Sequence, residues 1–320
     1  MAEAVEGFDL AVRLVPAVAW HGLSLPVRRE NLTEWPGLAA DAAACAILAG
    51  QPATAVELLE QGRSVLWQQM LHLRGDLTEL ARTHPDLAAK VSSLRTALNS
   101  GLDAQNDNLG EERRALAREW DRVVGEVRKL DGFRHFLAPT PYDELLQAAG
   151  AGPVIIVNAS QYGCHALIVR PGRPAPEVLS LPKLTLADAH AHAHAGRLMS
   201  SIMARPRTFL ERERRRHAIH DTLDWLWDTV TGPILDALAP EPGQRVWWCP
   251  VDVLSFLPLH AASHHPRHHT VADTDGWALD RVVSSSMPTL GALLRSRERA
   301  ARPAPFHQLA VGLPRTPGWA

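Results

Sequence analysis

The stretch RVWWCPVDVLSFLPLHAA at residues 245–262 decides the prediction of the fold. It opens with four consecutive apolar residues, 246–249, and such a short run before a turn predicts a strand that is buried on both faces. Pro250 ends this strand because proline has no N–H group to donate to a sheet. Residues 254–259 add an apolar patch in loop-like sequence, and we expect this loop to pack over the same sheet.

Strand and helix signals alternate through the second half of the chain. The β-branched run 154–157 predicts a buried strand, and residues 164–169 predict a second strand that forms a hairpin with it. The other predicted elements are an extended piece at 178–181, helices at 142–149, 186–203, 211–238 and 289–297, and strands at 281–285 and 309–312. This alternation predicts an α/β sheet covered by helices.

The first 130 residues carry helical periodicity instead. Apolar side chains recur at helical spacing over residues 9–20, 38–48, 53–83, 87–98 and 111–130. A short helix, a turn and the pattern AVELLEQGR at 55–63 resemble the last unit of a tetratricopeptide-type array. One such unit cannot bury its own apolar face, so we expect an array to continue upstream in a longer relative. The function expected of this arm is contact with a protein partner.

The organising stretch resembles the CHAT domain, a caspase-related fold that usually follows helical repeats. The segment LLEQGRSVLWQQMLHLR at 58–74 resembles the arm that precedes such domains. Three further pieces agree with the resemblance: GPVIIVNASQYGCHALIV at 152–169, DRVVSSSMPTLGALLRSRERA at 280–300 and LAVGLPRTPG at 309–318. The implied fold class is α+β/α/β: an N-terminal α-helical, TPR-like arm at residues 1–130, followed by an incomplete caspase-like α/β sheet domain at residues 131–320.

The resemblance does not supply catalytic residues. Active CHAT proteins resemble caspases in placing a catalytic histidine in a His-Gly turn after one strand and a catalytic cysteine after the next. Both lie beyond the strand that 309–312 resembles, and the one His-Gly pair here, His21-Gly22, lies in the arm. We therefore expect no catalytic residue before Ala320 and a chain that acts through protein interaction. The alternative is a fragment of a caspase-like cysteine endopeptidase whose dyad lies beyond residue 320.

Each of the three cysteines is predicted to be a packing residue. Cys164 and His165 are neighbours in a strand, so their side chains point to opposite faces and cannot form a catalytic pair. Burial in an apolar strand raises the pKa of Cys249 and leaves it inert. Cys45 lies on an alanine-rich helix. The sequence contains no GxSxG elbow, P-loop or dinucleotide-binding glycine pattern, and Ser284, Ser285 and Ser286 are predicted to be part of a strand end rather than a nucleophile site.

Histidine clusters give a third hypothesis, a histidine-rich metal-binding protein. His190 and His194 are four residues apart on a predicted helix, which is a spacing able to hold a metal ion. They are the candidate metal ligands, and a second cluster lies in the loop at 264–269. Neither cluster has a cysteine or carboxylate at a structural zinc spacing. We therefore expect no bound metal and no cofactor.

Composition limits the class of partner. The net charge of −2 and the 46% hydrophobic content predict an ordinary globular protein that binds neither nucleic acid nor membrane. The basic run at 211–217 is interpreted as a solvated helix face. Three sparse cysteines predict a cytoplasmic protein without disulfides. A strand at 309–312 without a neighbour would leave an unpaired sheet edge, through which the chain could associate with itself.

Overall fold

The fold is given by a computed structural model, which describes residues 2–63, 65, 77–100, 109–134, 136–200, 208–264 and 276–300. The N-terminal part is helical, as its apolar periodicity predicts. Its helices are α1 (Ala2–Val18), α2 (Leu25–Thr33), α3 (Leu38–Leu48), α4 (Pro52–Gly62), α5 (Thr78–Thr83), α6 (Pro85–Ser100) and α7 (Leu109–Val127). Pro26 and Pro52 stand in the first turns of α2 and α4, where a missing N–H costs no helical hydrogen bond.

Five strands of the described chain form one mixed sheet in the order β3-β2-β1-β4-β5. Their bounds are β1 Val154–Asn158, β2 His165–Val169, β3 Glu177–Ser180, β4 Arg245–Pro250 and β5 Val283–Ser286. The first three strands form an antiparallel meander, whereas β4 and β5 run parallel to β1. Ile155 faces Ile168 across the hairpin and Trp248 on its other side. The predicted hairpin and the buried strand of the organising stretch are confirmed.

Helices connect the strands and cover the sheet. They are α8 (Tyr142–Leu145, continued by a 3₁₀ turn at Leu146–Ala149), α9 (Leu186–Ser200), α10 (Phe209–Leu226), α11 (Gly232–Leu238), α12 (Ala278–Arg281) and α13 (Leu290–Ala300). The predicted helix at 211–238 is interrupted by a π-helical turn at Trp227–Thr231. The predicted strand at 281–285 begins two residues later than expected because Arg281 ends α12.

The two faces of the sheet bury different helices, since side chains alternate along a strand. Ile156 and Cys249 point to a face covered by α1, α3, α4, α8 and α13. Ile155 and Trp248 point to the opposite face, which is covered by α9, α11, the end of α10 and the loop after β4. The arm therefore shares a hydrophobic core with the sheet through three of its helices.

The loop after β4 packs as predicted, with one exception. Leu254, Leu257 and Leu259 are buried against the second face of the sheet. Phe256 is 60% exposed, so the expectation that it packs with them is wrong. Two short 3₁₀ turns, Asp252–Phe256 and Leu259–Ala261, turn the leucines inward.

The continuous helix predicted over residues 53–83 is wrong. Helix α4 ends at Gly62, and Arg63 has an extended backbone with φ −110° and ψ 156°. A Cβ atom on Gly62 would lie 2.7 Å from the Ala39 Cβ, so glycine lets α4 approach α3 closely. Apolar periodicity continues through this point in the sequence, but the tertiary contacts of Arg63 end the helix there.

Three further arm helices form a cluster of their own. Residues of α5, α6 and α7 pack together around Val91, Trp120 and Val123. Trp20, after α1, packs against this cluster and donates a hydrogen bond to the Asp121 carboxylate at 2.8 Å. The predicted strand at 309–312 lies outside the described residues. Within the described part of the chain, no helix has the length and apolarity needed to span a bilayer.

Candidate functional site

Charged side chains gather at the carboxyl end of the three parallel strands. This edge is where open α/β sheets bind ligands, because the strand ends and their loops form a crevice there. The arm contributes Asp41 from α3 together with Glu60 and Arg63 from the end of α4. The loop after β4 contributes Asp252. We call these four residues the edge cluster.

Arg63 connects the arm to the end of β4. Its Nη2 donates a hydrogen bond to the Cys249 Sγ at 2.6 Å, and its Nη1 donates one to the Pro250 carbonyl at 3.4 Å. The side chain is only 7% exposed, so a charged guanidinium is held inside the protein. Buried charges need an opposite charge nearby, and Glu60 and Asp252 interact electrostatically with Arg63.

Glu60 caps the helix that follows β5. Its two carboxylate oxygens accept hydrogen bonds from the backbone N–H groups of Leu290 (3.0 Å) and Gly291 (2.8 Å). The Thr289 Oγ1 accepts a third, from the N–H of Ala292 at 3.1 Å. A carboxylate at a helix N-terminus satisfies unpaired donors and complements the helix dipole. Glu60 is 6% exposed, so this cap is a buried contact between the arm and the sheet domain.

Asp41 fixes the loop between β1 and β2. Its carboxylate accepts hydrogen bonds from the Ser160 Oγ at 2.6 Å and the Gln161 Nε2 at 2.8 Å. Asn158, at the end of β1, donates to the Ala40 carbonyl at 2.8 Å. The first turn of α3 therefore positions the loop that follows the central strand.

Asp252 has the most unusual backbone of the cluster. Its φ of +45° lies in the left-handed region, which side chains other than asparagine and aspartate adopt at a cost. The residue as a whole is exposed, and it also lines a cavity. Burial there raises the pKa of the Asp252 carboxyl, the Arg63 cation lowers it by less, and the Asp41 carboxylate raises it further.

A cavity of about 220 Å³ lies between the arm and this loop. Helices α1 and α3, the segment after α2 and the end of α4 form walls that are mainly apolar. Its lining residues are Val15, Val18, Leu32, Trp35, Pro36, Gly37, Leu38, Ala39, Gly62, Arg63, Val65 and Asp252. The cavity is smaller than those that hold drug-sized ligands, about 300–1,000 Å³. Its size suits one or two side chains of another polypeptide.

The three cysteines are buried and free of disulfides. Burial raises the pKa of the Cys45, Cys164 and Cys249 thiols. The Cys249 Sγ also donates to the Pro288 carbonyl at 3.6 Å, and the Cys164 Sγ contacts the Ser160 carbonyl at 3.8 Å. Among the described residues, none of these sulfur partners is an imidazole.

Cys164 and its neighbour His165 lie on opposite faces of the sheet. Cys164 packs in the cluster of the second face, whereas Leu167, two residues after His165 and on the same side of β2, packs in the first. Burial lowers the pKa of the His165 imidazole, and its Nδ1 has no hydrogen-bond partner in the described structure. This is the arrangement that alternation along a strand predicts.

The candidate metal ligands His190 and His194 are both exposed on α9. Between them, His192 stacks on Trp225 with ring centroids 4.1 Å apart. In the second cluster, the Nε2 of His264 lies 2.7 Å from an Asp228 carboxylate oxygen, and residues 265–275 lie outside the described chain. No group of three or more histidine, cysteine or acidic residues able to hold a metal ion occurs within the described ranges.

The edge cluster was not among the sites predicted from the sequence. Glu60 and Arg63 stand in a stretch whose periodicity continues as a helix, where charged residues indicate a solvated face. Their partners lie between 186 and 231 residues away in the sequence. One sequence signal was available for Asp252: it is an acidic residue two positions after Pro250, where a buried parallel strand ends.

The comparisons with known proteins give one positive result. A family model described as the CHAT domain matches residues 220–319, a range that includes β4, β5 and Asp252. Searches of curated proteins and of solved structures returned no significant match. The matched range lies within the segment that resembles this family in sequence. Residues 220–319, just under a third of the chain, are therefore the segment that is similar to the CHAT domain.

Proposed function

We propose that this chain is a protein-interaction module that binds a partner through its helical arm, and that none of its three cysteines cleaves a peptide bond. The burial of all three thiols supports the second part of this proposal, the absence of cysteine catalysis. A nucleophilic thiol needs an imidazole within hydrogen-bond reach and a lowered pKa. Cys249 instead lies between Arg63 and Pro288, and burial raises its pKa.

The arm offers apolar surface for contact with protein. Leu10, Leu14 and Trp35 are 61%, 53% and 62% exposed. Contiguous exposed apolar side chains of this size are typical of interaction sites. We also propose that three free cysteines suit a reducing compartment, which favours the cytoplasm.

Self-association through the sheet edge is the second interaction we propose. Strand β5 pairs only with β4 among the described residues, and Val283 on it is 42% exposed. An edge strand presents unpaired backbone groups that another chain can extend. Size-exclusion chromatography with light scattering is expected to show concentration-dependent oligomers, and a monomer at every concentration would contradict this interaction.

The absence of catalysis is tested with a fluorescent iodoacetamide at neutral pH. We expect slow labelling of the folded protein and labelling of Cys45, Cys164 and Cys249 at similar rates in 8 M urea. Alanine variants of each cysteine assign the labelled positions. Rapid labelling of one cysteine in the folded chain, together with cleavage of a peptide library, would overturn the proposal.

The sequence-based alternative is a cysteine endopeptidase whose catalytic pair lies beyond residue 320. It predicts the same unreactive thiols within residues 1–320, so the labelling experiment does not separate the two. The coding sequence downstream of codon 320 does. A frame encoding a His-Gly turn and a later cysteine among small residues would favour the peptidase.

The interaction role is tested with a photo-crosslinking amino acid at position 35. We expect a crosslinked product that is absent when the same amino acid is placed at position 209, which is also exposed. The product should disappear in Leu14→Asp. Equal products from both positions would contradict binding through the arm.

A further inference from the structure

Helix α1 has two apolar faces, and one of them lacks a partner in the described structure. Val5 and Val12 are buried in the core that the arm shares with the sheet. Leu10 and Leu14 lie on the other side of the helix and remain more than half exposed. Residues four apart lie one above the other on a helix, so these two leucines form a short apolar stripe.

The stripe continues into the cavity beside the edge cluster. Val18 is the next residue at the same spacing and lines that cavity, and Trp35 lies on its rim. The row from Leu10 to Val18 extends over about 12 Å at 1.5 Å per residue. We call Leu10, Leu14, Val18 and Trp35 the arm surface. It combines a straight row of apolar side chains with a cavity whose volume, about 220 Å³, is enough for an anchoring side chain.

The charge around the arm surface is negative. Residues 1–63 contain eight acidic and four basic residues, a formal charge of −4, whereas the whole chain carries −2. Glu30 and Glu34 are exposed on and just after α2, next to Trp35. Of the basic residues, Arg28 and Arg63 are buried, Arg13 pairs with Asp9 at 2.7 Å, and Arg29 is exposed on α2. This charge opposes binding of nucleic acid or anionic lipid, and it opposes a second copy of the same face.

We propose that the arm surface binds an amphipathic helix of a partner protein that carries lysine or arginine beside its apolar residues. A helix fits because leucines at i, i+3, i+4 and i+7 form a row that matches the row on α1. One large apolar side chain of the partner enters the cavity between Val18 and Trp35. Basic residues on its flanks face the acidic residues of the arm. The inference rests on the proposed interaction role and specifies the partner's chemistry.

The test uses two synthetic amphipathic peptides of about 18 residues, about 27 Å long as helices. Both carry leucine at the spacing given above, with lysine at the remaining positions in one and glutamate in the other. Binding to the whole chain is measured by fluorescence anisotropy at physiological salt. We expect the lysine peptide to bind and the glutamate peptide to bind at least tenfold more weakly.

Variants locate the binding. Leu14→Asp and Trp35→Ala should each weaken the lysine peptide about tenfold, as expected for central anchor residues. Leu279→Asp changes a leucine that is 59% exposed on α12 and should leave the affinity unchanged. Circular dichroism checks that all variants are folded.

Two results would overturn the inference: equal affinity for both peptides, or wild-type affinity in both Leu14→Asp and Trp35→Ala. The interaction role has its own readout in the crosslink from position 35. A specific crosslink without peptide binding would contradict a basic amphipathic helix as the partner, but it would still support binding of a protein through the arm. Loss of both would refute the role as well.

Discussion

The Arg63 guanidinium lies 2.6 Å from the Cys249 thiol, although the two residues are 186 positions apart in the sequence. Arg63 follows the last helix that the arm contributes to the shared core, and Cys249 lies in a central strand of the sheet. The same arginine contacts the Pro250 carbonyl, where β4 ends. The Cys249 thiol therefore accepts a hydrogen bond that links the arm to the sheet.

Replacing Arg63 by methionine should destabilise the chain by about 3 kcal/mol, because Glu60 and Asp252 lose their neighbouring cation and Cys249 loses a donor. Arg63→Lys should lose less, since it retains the charge but not the forked donor geometry. Urea denaturation followed by tryptophan fluorescence measures both. Arg13→Met is the matched control, because Arg13 forms an exposed ion pair that contributes under about 1 kcal/mol. Equal losses in Arg63→Met and the control would contradict this role.

Replacing Glu60 by alanine should cost about 2 kcal/mol, since two backbone N–H groups at the start of α13 lose their acceptor. Glu60→Gln retains one carbonyl oxygen and should cost about half as much. Amide hydrogen exchange at Leu290 and Gly291 should accelerate more in the alanine variant. Unchanged exchange at these amides would mean that the carboxylate is not their acceptor in solution.

The sheet was predictable because its signals are local. The runs at 154–157 and 246–249 are apolar at every position, and only a strand with neighbours on both sides buries such a run. The hairpin followed from the short turn between β1 and β2. The register and parallel pairing of β4 with β1 confirm the α/β arrangement that the alternation predicts.

The edge cluster was not predictable, because its charges are buried only by distant partners. In the sequence alone, Glu60 cannot be told from a solvated glutamate. Only the tertiary fold brings the N-terminus of α13 against its carboxylate. Arg63 stands where the local pattern favours a continuing helix, and its contacts with β4 end that helix. The leucines on the outer side of α1 were assigned to helical periodicity, which does not show whether a second element covers them.

Asp252→Asn should stabilise the chain at neutral pH. Burial raises the pKa of the Asp252 carboxyl above its ordinary value of 3.8, so folding favours the protonated form. That contribution is complete below the unfolded pKa and is lost as the pH rises through the folded pKa. Asparagine removes the charge and also tolerates the left-handed backbone at this position.

The measurement is the free energy of unfolding of wild type and Asp252→Asn at pH 4 and pH 7. The gain from the substitution should be larger at pH 7. Asp252→Ala is the matched control, because alanine removes the charge but fits the positive φ less well. A loss of stability in Asp252→Asn at pH 7 would show that the attraction to Arg63 outweighs burial.

His165 should make the protein less stable in mild acid. Burial lowers the pKa of its imidazole below the ordinary value of 6.5, so the unfolded chain binds a proton that the folded chain does not. The stabilisation is therefore complete above about pH 6.5 and decreases as the pH falls toward the folded pKa, by at most about 1.4 kcal/mol per pH unit. His192 adds to this slope, since burial also lowers its pKa. Urea denaturation at pH 7.5, 6.5 and 5.5 measures how the free energy of unfolding changes with pH. His165→Gln should make this dependence shallower, because it removes the proton that His165 binds on unfolding. If the pH dependence is identical in wild type and His165→Gln, protonation of the His165 imidazole does not destabilise the folded chain.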